Sequence, residues 1–299
     1  MMKNRLFTAL LAGLLFLLEG HAQESSALPF ISIDRNPASA AMGGSQAVSG
    51  LYNPSMIPFT GSDVVFSYQL WAPATLKNNN LNLLGAFKVG DRFGINVEGA
   101  YQMGEPYAQM SESGIPGKKT FRPTDLQAGI GAGFAFTGYL SAGVSIRFAN
   151  STIESGTSYS AIGADAFVTF HKDALSATAG IASIGSSVKS GSHTYSLPTS
   201  VKAGVGYDMK MGENSLKLAG NFDYFLSGGV GAAAGGEFAF KDILFLRAGA
   251  HIGTGTSPLP TYLSLGSGVK FAGFHADFCW LTANEVIGNT LMVGIGYCF

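Results

Sequence analysis

The last nine residues read Leu291-Met292-Val293-Gly294-Ile295-Gly296-Tyr297-Cys298-Phe299. Every odd position carries a large apolar or aromatic side chain, and the even positions are mostly small. Successive side chains of a β-strand point to opposite faces, so this spacing predicts a strand with one greasy face and one small face. The same two-residue period continues over almost all of the chain beyond residue 62. Val64, Phe66, Tyr68 and Leu70 alternate with Asp63, Ser67 and Gln69, and Phe93, Ile95, Val97 and Tyr101 alternate with Asn96, Glu98 and Gln102. Leu140, Ala142, Val144, Ile146 and Phe148 alternate with Ser141, Ser145 and Arg147. The 3.6-residue period of a helix is nowhere competitive.

These runs predict about fourteen strands of about nine to eleven residues, the length that a tilted membrane strand requires. They begin near Asp63, Leu81, Phe93, Asp125, Leu140, Ser158, Leu175, Ser200, Ser215, Val230, Ile243, Tyr262, Phe274 and Thr290. Tight connections at Gly90-Asp91, Thr137-Gly138, Lys172-Asp173, Gly212-Glu213-Asn214, Lys241-Asp242 and Ala272-Gly273 alternate with longer ones, notably 103–123, 183–199 and 253–260. Short turns on one side and long loops on the other, with an even strand count, describe a bacterial outer-membrane barrel. The closing strand, with Tyr297 and Phe299 at its end, is similar to the assembly signal of such barrels. A secreted β-sandwich also alternates, but the strand count, the turn asymmetry and the terminal Phe favour the barrel. The expected fold is therefore all-β, a transmembrane antiparallel β-barrel.

Composition agrees. The chain has 299 residues and 31.1 kDa, a formal net charge of −1 and a mean hydropathy of +0.24. Only 12% of residues are charged, against a typical ~25%. Low charge excludes disorder, and near-neutrality excludes a large basic nucleic-acid footprint. Two cysteines build neither a disulfide framework nor a four-ligand zinc site. In the last hairpin Cys298 is expected opposite about residue 274, ~16 Å along the strand from Cys279, so both are expected as free thiols. At the other end Lys3 and Arg5 precede an apolar run, Leu6 to Leu18, followed by Gly20, His21 and Ala22. This reads as a signal peptide over 1–22, and the run is too short to span ~30 Å of hydrocarbon. Location in the outer membrane of a Gram-negative bacterium, among its lipids, follows.

The polar face then lines the lumen of a barrel over 63–299. Glu98, Arg147, Asp165, Lys202, Asp223, Arg247, Lys270 and Asp277 are lumenal charges of both signs, whereas a selective ion pore carries a ring of one sign. Balanced charges are expected to pair. Many inward positions are Gly or Ala, which leaves volume. Residues 23–62 lack a sustained strand pattern but contain Leu28, Phe30, Ile31, Ile33, Leu51 and Ile57. That apolar content suits a hatch or plug folded into the lumen better than a solvated tail. His251, His275 and Asp277 point inward, yet no G-x-S-x-G context and no metal-ligand spacing accompanies them, so no catalytic residue, metal or cofactor is expected.

Phe30-Ile31-Ser32-Ile33, then Ala38-Ser39-Ala40-Ala41-Met42-Gly43-Gly44, then Tyr52-Asn53-Pro54-Ser55 together resemble the entry sequence of the PorV/PorQ family of Bacteroidota, within the FadL-like barrels. Ala38 stands where that family usually has Arg, and Ser55 where it has Ala. The resemblance implies a lumenal hatch marked by Met42, Gly43, Gly44, Asn53 and Pro54. It also implies a non-enzymatic role in type IX protein secretion or surface attachment, in which loops such as 103–123 and 183–199 dock secretion-system or surface proteins. The alternative is a FadL-like transporter of fatty acids or other hydrophobic solutes, gated by 23–62. A lumenal lipid-acting enzyme is a third reading. A polar, small-residue inner face favours partner docking over a greasy channel, unless the plug itself lines a greasy pocket.

Overall fold

The computed structural model describes residues 26–110 and 116–299. The signal peptide expected over 1–22 lies outside them. In chain order the strands are β1 (Asp63–Trp71), β2 (Asn78–Val89), β3 (Phe93–Met103), β4 (Tyr107–Met110), β5 (Pro116–Phe121) and β6 (Thr124–Ala135). Then follow β7 (Leu140–Glu154), β8 (Thr157–Lys172), β9 (Leu175–Gly185), β10 (Val188–Ser190), β11 (His193–Tyr195) and β12 (Ser200–Met211). The last six are β13 (Asn214–Phe225), β14 (Val230–Phe240), β15 (Leu244–Thr254), β16 (Tyr262–Phe271), β17 (Phe274–Thr282) and β18 (Thr290–Cys298).

Fourteen of these close into one antiparallel barrel, in the order β1-β18-β17-β16-β15-β14-β13-β12-β9-β8-β7-β6-β3-β2. First and last strands meet along Asp63↔Cys298 to Leu70↔Leu291, which leaves no free sheet edge. The other four strands form two small hairpins, β4–β5 and β10–β11, inside the long loops.

Alternation sorts the two faces as the sequence predicts. Ile130, Val144, Ile146, Ile162 and Ile295 are each more than half exposed on the outside. Apolar area on this scale would aggregate in water but is the lipid contact of a membrane barrel. Among the described residues no helix is long and apolar enough to cross a membrane; the strands span it. The cysteines are free, and the register slides by one from expectation: Tyr297 faces Phe274, while the Cys298 N–H donates to Gly273 O at 2.8 Å.

The inner face is polar, with Gln69, Asn80, Asn82, Asn96, Gln127, Ser141, Thr169 and Thr178 buried. Residues 26–62 lie against it as short helical turns, Pro29–Ser32, Pro37–Ala40, Gln46–Val48 and Pro54–Phe59. Two Asn-Pro pairs start two of them. The Asn36 side chain accepts the Ala38 N–H at 3.1 Å, and that of Asn53 accepts the Ser55 N–H at 3.0 Å. In each case Pro occupies the first helical position, where no N–H is needed. The Pro37–Ala40 turn packs on β16–β18, Gln46–Val48 on β9, β12 and β13, and Pro54–Phe59 on β2, β3 and β6–β8. A segment can touch all of these strands only from within the ring.

Between β8 and β9 the pairing shifts register around Ala164 and Ala166. Ser183 takes a left-handed φ of 57° there, and its N–H donates to Asp165 Oδ1 at 2.7 Å. Beyond Ala182, which pairs with Ser200, β9 pairs with β8 while the chain departs into the long loop bearing β10–β11.

Candidate functional site

A barrel wall is satisfied by its own ladder, but a non-strand segment inside it needs partners for its backbone, because an unbonded buried polar group costs about 1–3 kcal/mol. The polar inner wall supplies them. Ser67 Oγ donates to Arg35 O at 2.5 Å, and Asn221 Nδ2 to Gly44 O at 2.6 Å. Ser264 Oγ donates to Ala41 O at 2.9 Å and accepts the Gly43 N–H at 3.1 Å. Ser141 Oγ donates to Ser55 O at 2.5 Å.

The motif residues lie at these contacts. Met42 is buried with Val48 and Ala219. Gly43 has a φ of +78°, and a Cβ there would stand 2.5 Å from Ala250 O. Gly44 receives the Asn221 amide. Asn53 Nδ2 bridges Ala47 O, at 2.7 Å, and Thr178 Oγ1, at 3.0 Å. Pro54 is so close to the wall that a Cβ on Gly133 would overlap its carbonyl oxygen. Ser55, the departure from the resembled pattern, uses its hydroxyl to donate to Asn53 Oδ1 at 2.6 Å.

Above these turns sits a knot that sequence reading missed. Asp34 is buried, and its Oδ1 accepts Ser39 Oγ–H at 2.7 Å, Tyr52 OH at 2.7 Å and the Asn36 N–H at 3.0 Å. Burial raises the Asp34 carboxyl above its ordinary value, although all three donors pull it down. Tyr52 in turn accepts the Arg35 and Asn36 N–H groups. Arg35 Nη2 donates to Phe30 O at 2.9 Å and to Gln127 Oε1 at 2.7 Å. Tyr52 belongs to the quoted motif, but spacing alone gave no reason to join it to Asp34.

The lumenal charges are paired. Arg147 binds Glu98 and Asp165, both at 2.7 Å, and Lys202 binds Asp223 at 2.8 Å. Arg247 binds Glu237 at 2.5 Å and Asp277 at 2.6 Å, and Lys270 reaches Asp242 at 2.9 Å near the short-turn rim. His251 stacks on Tyr262 and bonds Pro260 O, well away from His275, whose ring nitrogens face Asp63 and Asp277. Tyr297 and Phe299 meet edge to face at 5.0 Å on the outer surface, with Phe274 beside Tyr297.

The apolar side chains of the inner segment gather toward the long-loop end, where they help line an open-mouthed cavity of about 570 Å³. Leu28, Phe30 and Ile33 contribute from the segment, Trp71 and Tyr159 from the wall, and Val188, Tyr195 and Ile287 from the loops. The charged residue among those lining it is Asp125, held by Gln102 Nε2 at 2.9 Å. Of the two arrangements that the sequence left open, the structure has the greasy pocket lined in part by the segment. The inner wall is polar, as expected, and that polarity serves the segment's backbone, while the greasy surface is shared between the segment's side chains, the upper wall and the loops.

No family model matches the chain, and no curated protein matches it in sequence. Solved structures do match in fold. The toluene transporter TbuX of Ralstonia pickettii is 13% identical over 90% of this chain and 99% of its own, with a TM-score of 0.64. The monoaromatic hydrocarbon channel CymD is 13% identical over 89% and 97%, with a TM-score of 0.63. The Pseudomonas putida toluene transporter TodX is 12% identical over 87% and 97%, with a TM-score of 0.58. The chain thus has the fold of these outer-membrane barrels, each of which is a channel or transporter of hydrocarbons by its own description. None of it bears on type IX secretion.

Proposed function

We propose that the chain is an outer-membrane channel for small, uncharged hydrophobic solutes, with residues 23–62 as a hatch whose Leu28, Phe30 and Ile33 form part of the binding surface. The cavity at the long-loop end carries this reading. Its volume of about 570 Å³ and mostly apolar lining suit a compact ligand. A fatty-acid carboxylate would meet Asp125 there without a lining cation to receive it, and an unpaired buried charge is costly. A neutral hydrocarbon has no such penalty. The fold likeness to hydrocarbon channels supports the same choice. The secretion reading rests on the resemblance over residues 30–55 alone, and it would be revived by a stoichiometric protein companion in gently extracted outer membrane.

Trp71 lines the cavity, and the chain's other tryptophan, Trp280, lies elsewhere in β17. In a Trp280→Phe background, a neutral aromatic hydrocarbon should shift or quench Trp71 emission saturably. A saturated long-chain carboxylate should do so at least tenfold more weakly. An emission unchanged by any hydrocarbon would sink the proposal.

A further inference from the structure

Asp63, His275 and Cys298 are far apart in the chain but meet where the ring closes. Asp63 and Cys298 are directly opposed partners at the short-turn end of the β1–β18 seam. His275, near the start of β17, faces Gly296 on β18. Its ring lies across that glycine, so closely that a Cβ there would overlap the imidazole. The absent side chain lets His275 reach over β18 to β1, where Nε2 stands 3.0 Å from Asp63 Oδ1. A carboxylate oxygen, an imidazole nitrogen and the Cys298 sulfur thus lie within 4.8 Å of one another.

The surroundings favour a cation at this point. His275 Nδ1 is 2.7 Å from Asp277 Oδ2, and Arg247 Nη1 donates to Asp277 Oδ1 at 2.6 Å. A carboxylate behind the ring holds the proton on Nδ1, as it does behind many metal-binding histidines. The Nε2 lone pair then faces an oxygen lone pair of Asp63 at hydrogen-bond distance, an arrangement that needs a proton or a metal ion between them. A proton would satisfy the two carboxylates, with the Cys298 thiol donating separately to Asp63, whereas one metal ion would engage all three groups together. Nitrogen, oxygen and sulfur together form a donor set suited to zinc, and three protein ligands leave a fourth position for water. Asp63 and Cys298 border a cavity of about 400 Å³ that can supply it. The nearby cations are engaged elsewhere, Lys270 with Asp242 and Arg247 with Glu237 and Asp277.

We propose that Asp63, His275 and Cys298 bind a divalent cation of the zinc class, which clasps β17 and β18 to β1 where the barrel closes.

The full chain, folded in detergent and stripped with a chelator, is titrated with Co²⁺. A sulfur-to-cobalt charge-transfer absorption should appear, be displaced by Zn²⁺, survive in Cys279→Ser and be lost in Cys298→Ser. Zn²⁺ should also raise Tm in the unaltered protein but not in Asp63→Asn. A readout that needs no variant is alkylation. Cys279 is fully buried, so a thiol reagent reads Cys298, and Zn²⁺ should slow its labelling at least tenfold. Absence of the absorption or of this protection, or an absorption that persists in Cys298→Ser, would overturn the proposal and leave His275 as a protonated bridge between two carboxylates.

Discussion

Gly43 is where a single methyl group should be felt most. Its φ of +78° costs an L-residue about 1–2 kcal/mol, and the added Cβ would press on the Ala250 carbonyl. Gly43→Ala should therefore loosen residues 26–62 by at least about 2 kcal/mol while leaving the wall intact. Limited proteolysis should cut that segment faster, with the heat-modifiable gel mobility of the barrel unchanged. Asp34 makes the same seating depend on pH. Burial raises its carboxyl above the ordinary value, so the folded chain holds that proton more tightly than the unfolded chain. The seating is then strongest below the ordinary carboxyl value and weakens as pH rises through the raised one. Hydrogen exchange of residues 26–60, corrected for intrinsic rates, should speed up over that window, and Asp34→Asn should flatten the trend. A trend that is unchanged in Asp34→Asn would assign it to another group.

At the scale of elements, the strands were legible because alternation begins at once after a tight turn. β3 starts at Phe93 and β7 at Leu140, as the pattern predicts. β2 starts at Asn78 rather than Leu81, because Asn78-Asn79-Asn80 is polar on both faces at the aqueous rim and gives the period nothing to contrast. The hairpins β4–β5 and β10–β11 are too short to carry a period at all. Register was less legible than strand position, since alternation fixes the face of a residue but not its partner. The trio of Glu98, Arg147 and Asp165 depends on that register, joining β3, β7 and β8. Arg147→Ala would leave two largely buried carboxylates without their cation, a loss of about 3–5 kcal/mol. Replacing all three by apolar residues of similar volume should cost less than the single change. Thermal unfolding of the two variants checks the order, and the reverse order would show that the trio stabilises the wall outright.

For the molecule as a whole, the fold was written in the sequence while the site was written only in part. The apolar residues Leu28, Phe30 and Ile33 were visible, and so was the polar inner face. A greasy pocket lined by the segment was one of the readings left open; what the chain could not disclose was that the polar wall groups bond the segment's backbone. That depends on how 26–62 sits against fourteen strands, and a two-residue period carries no such information. The likeness to hydrocarbon channels shows the same architecture at 13% identity, so solute passage rests on the cavity itself.

The most direct test of that passage is the rate at which a neutral aromatic hydrocarbon enters cells carrying the chain in their outer membrane. Val188, buried in the small β10–β11 hairpin, lines the cavity without belonging to the barrel wall. The unaltered chain should speed entry over cells that lack it, and Val188→Glu should remove most of that gain while the barrel remains heat-modifiable. Entry no faster than in cells without the chain, with the barrel folded, would contradict the account.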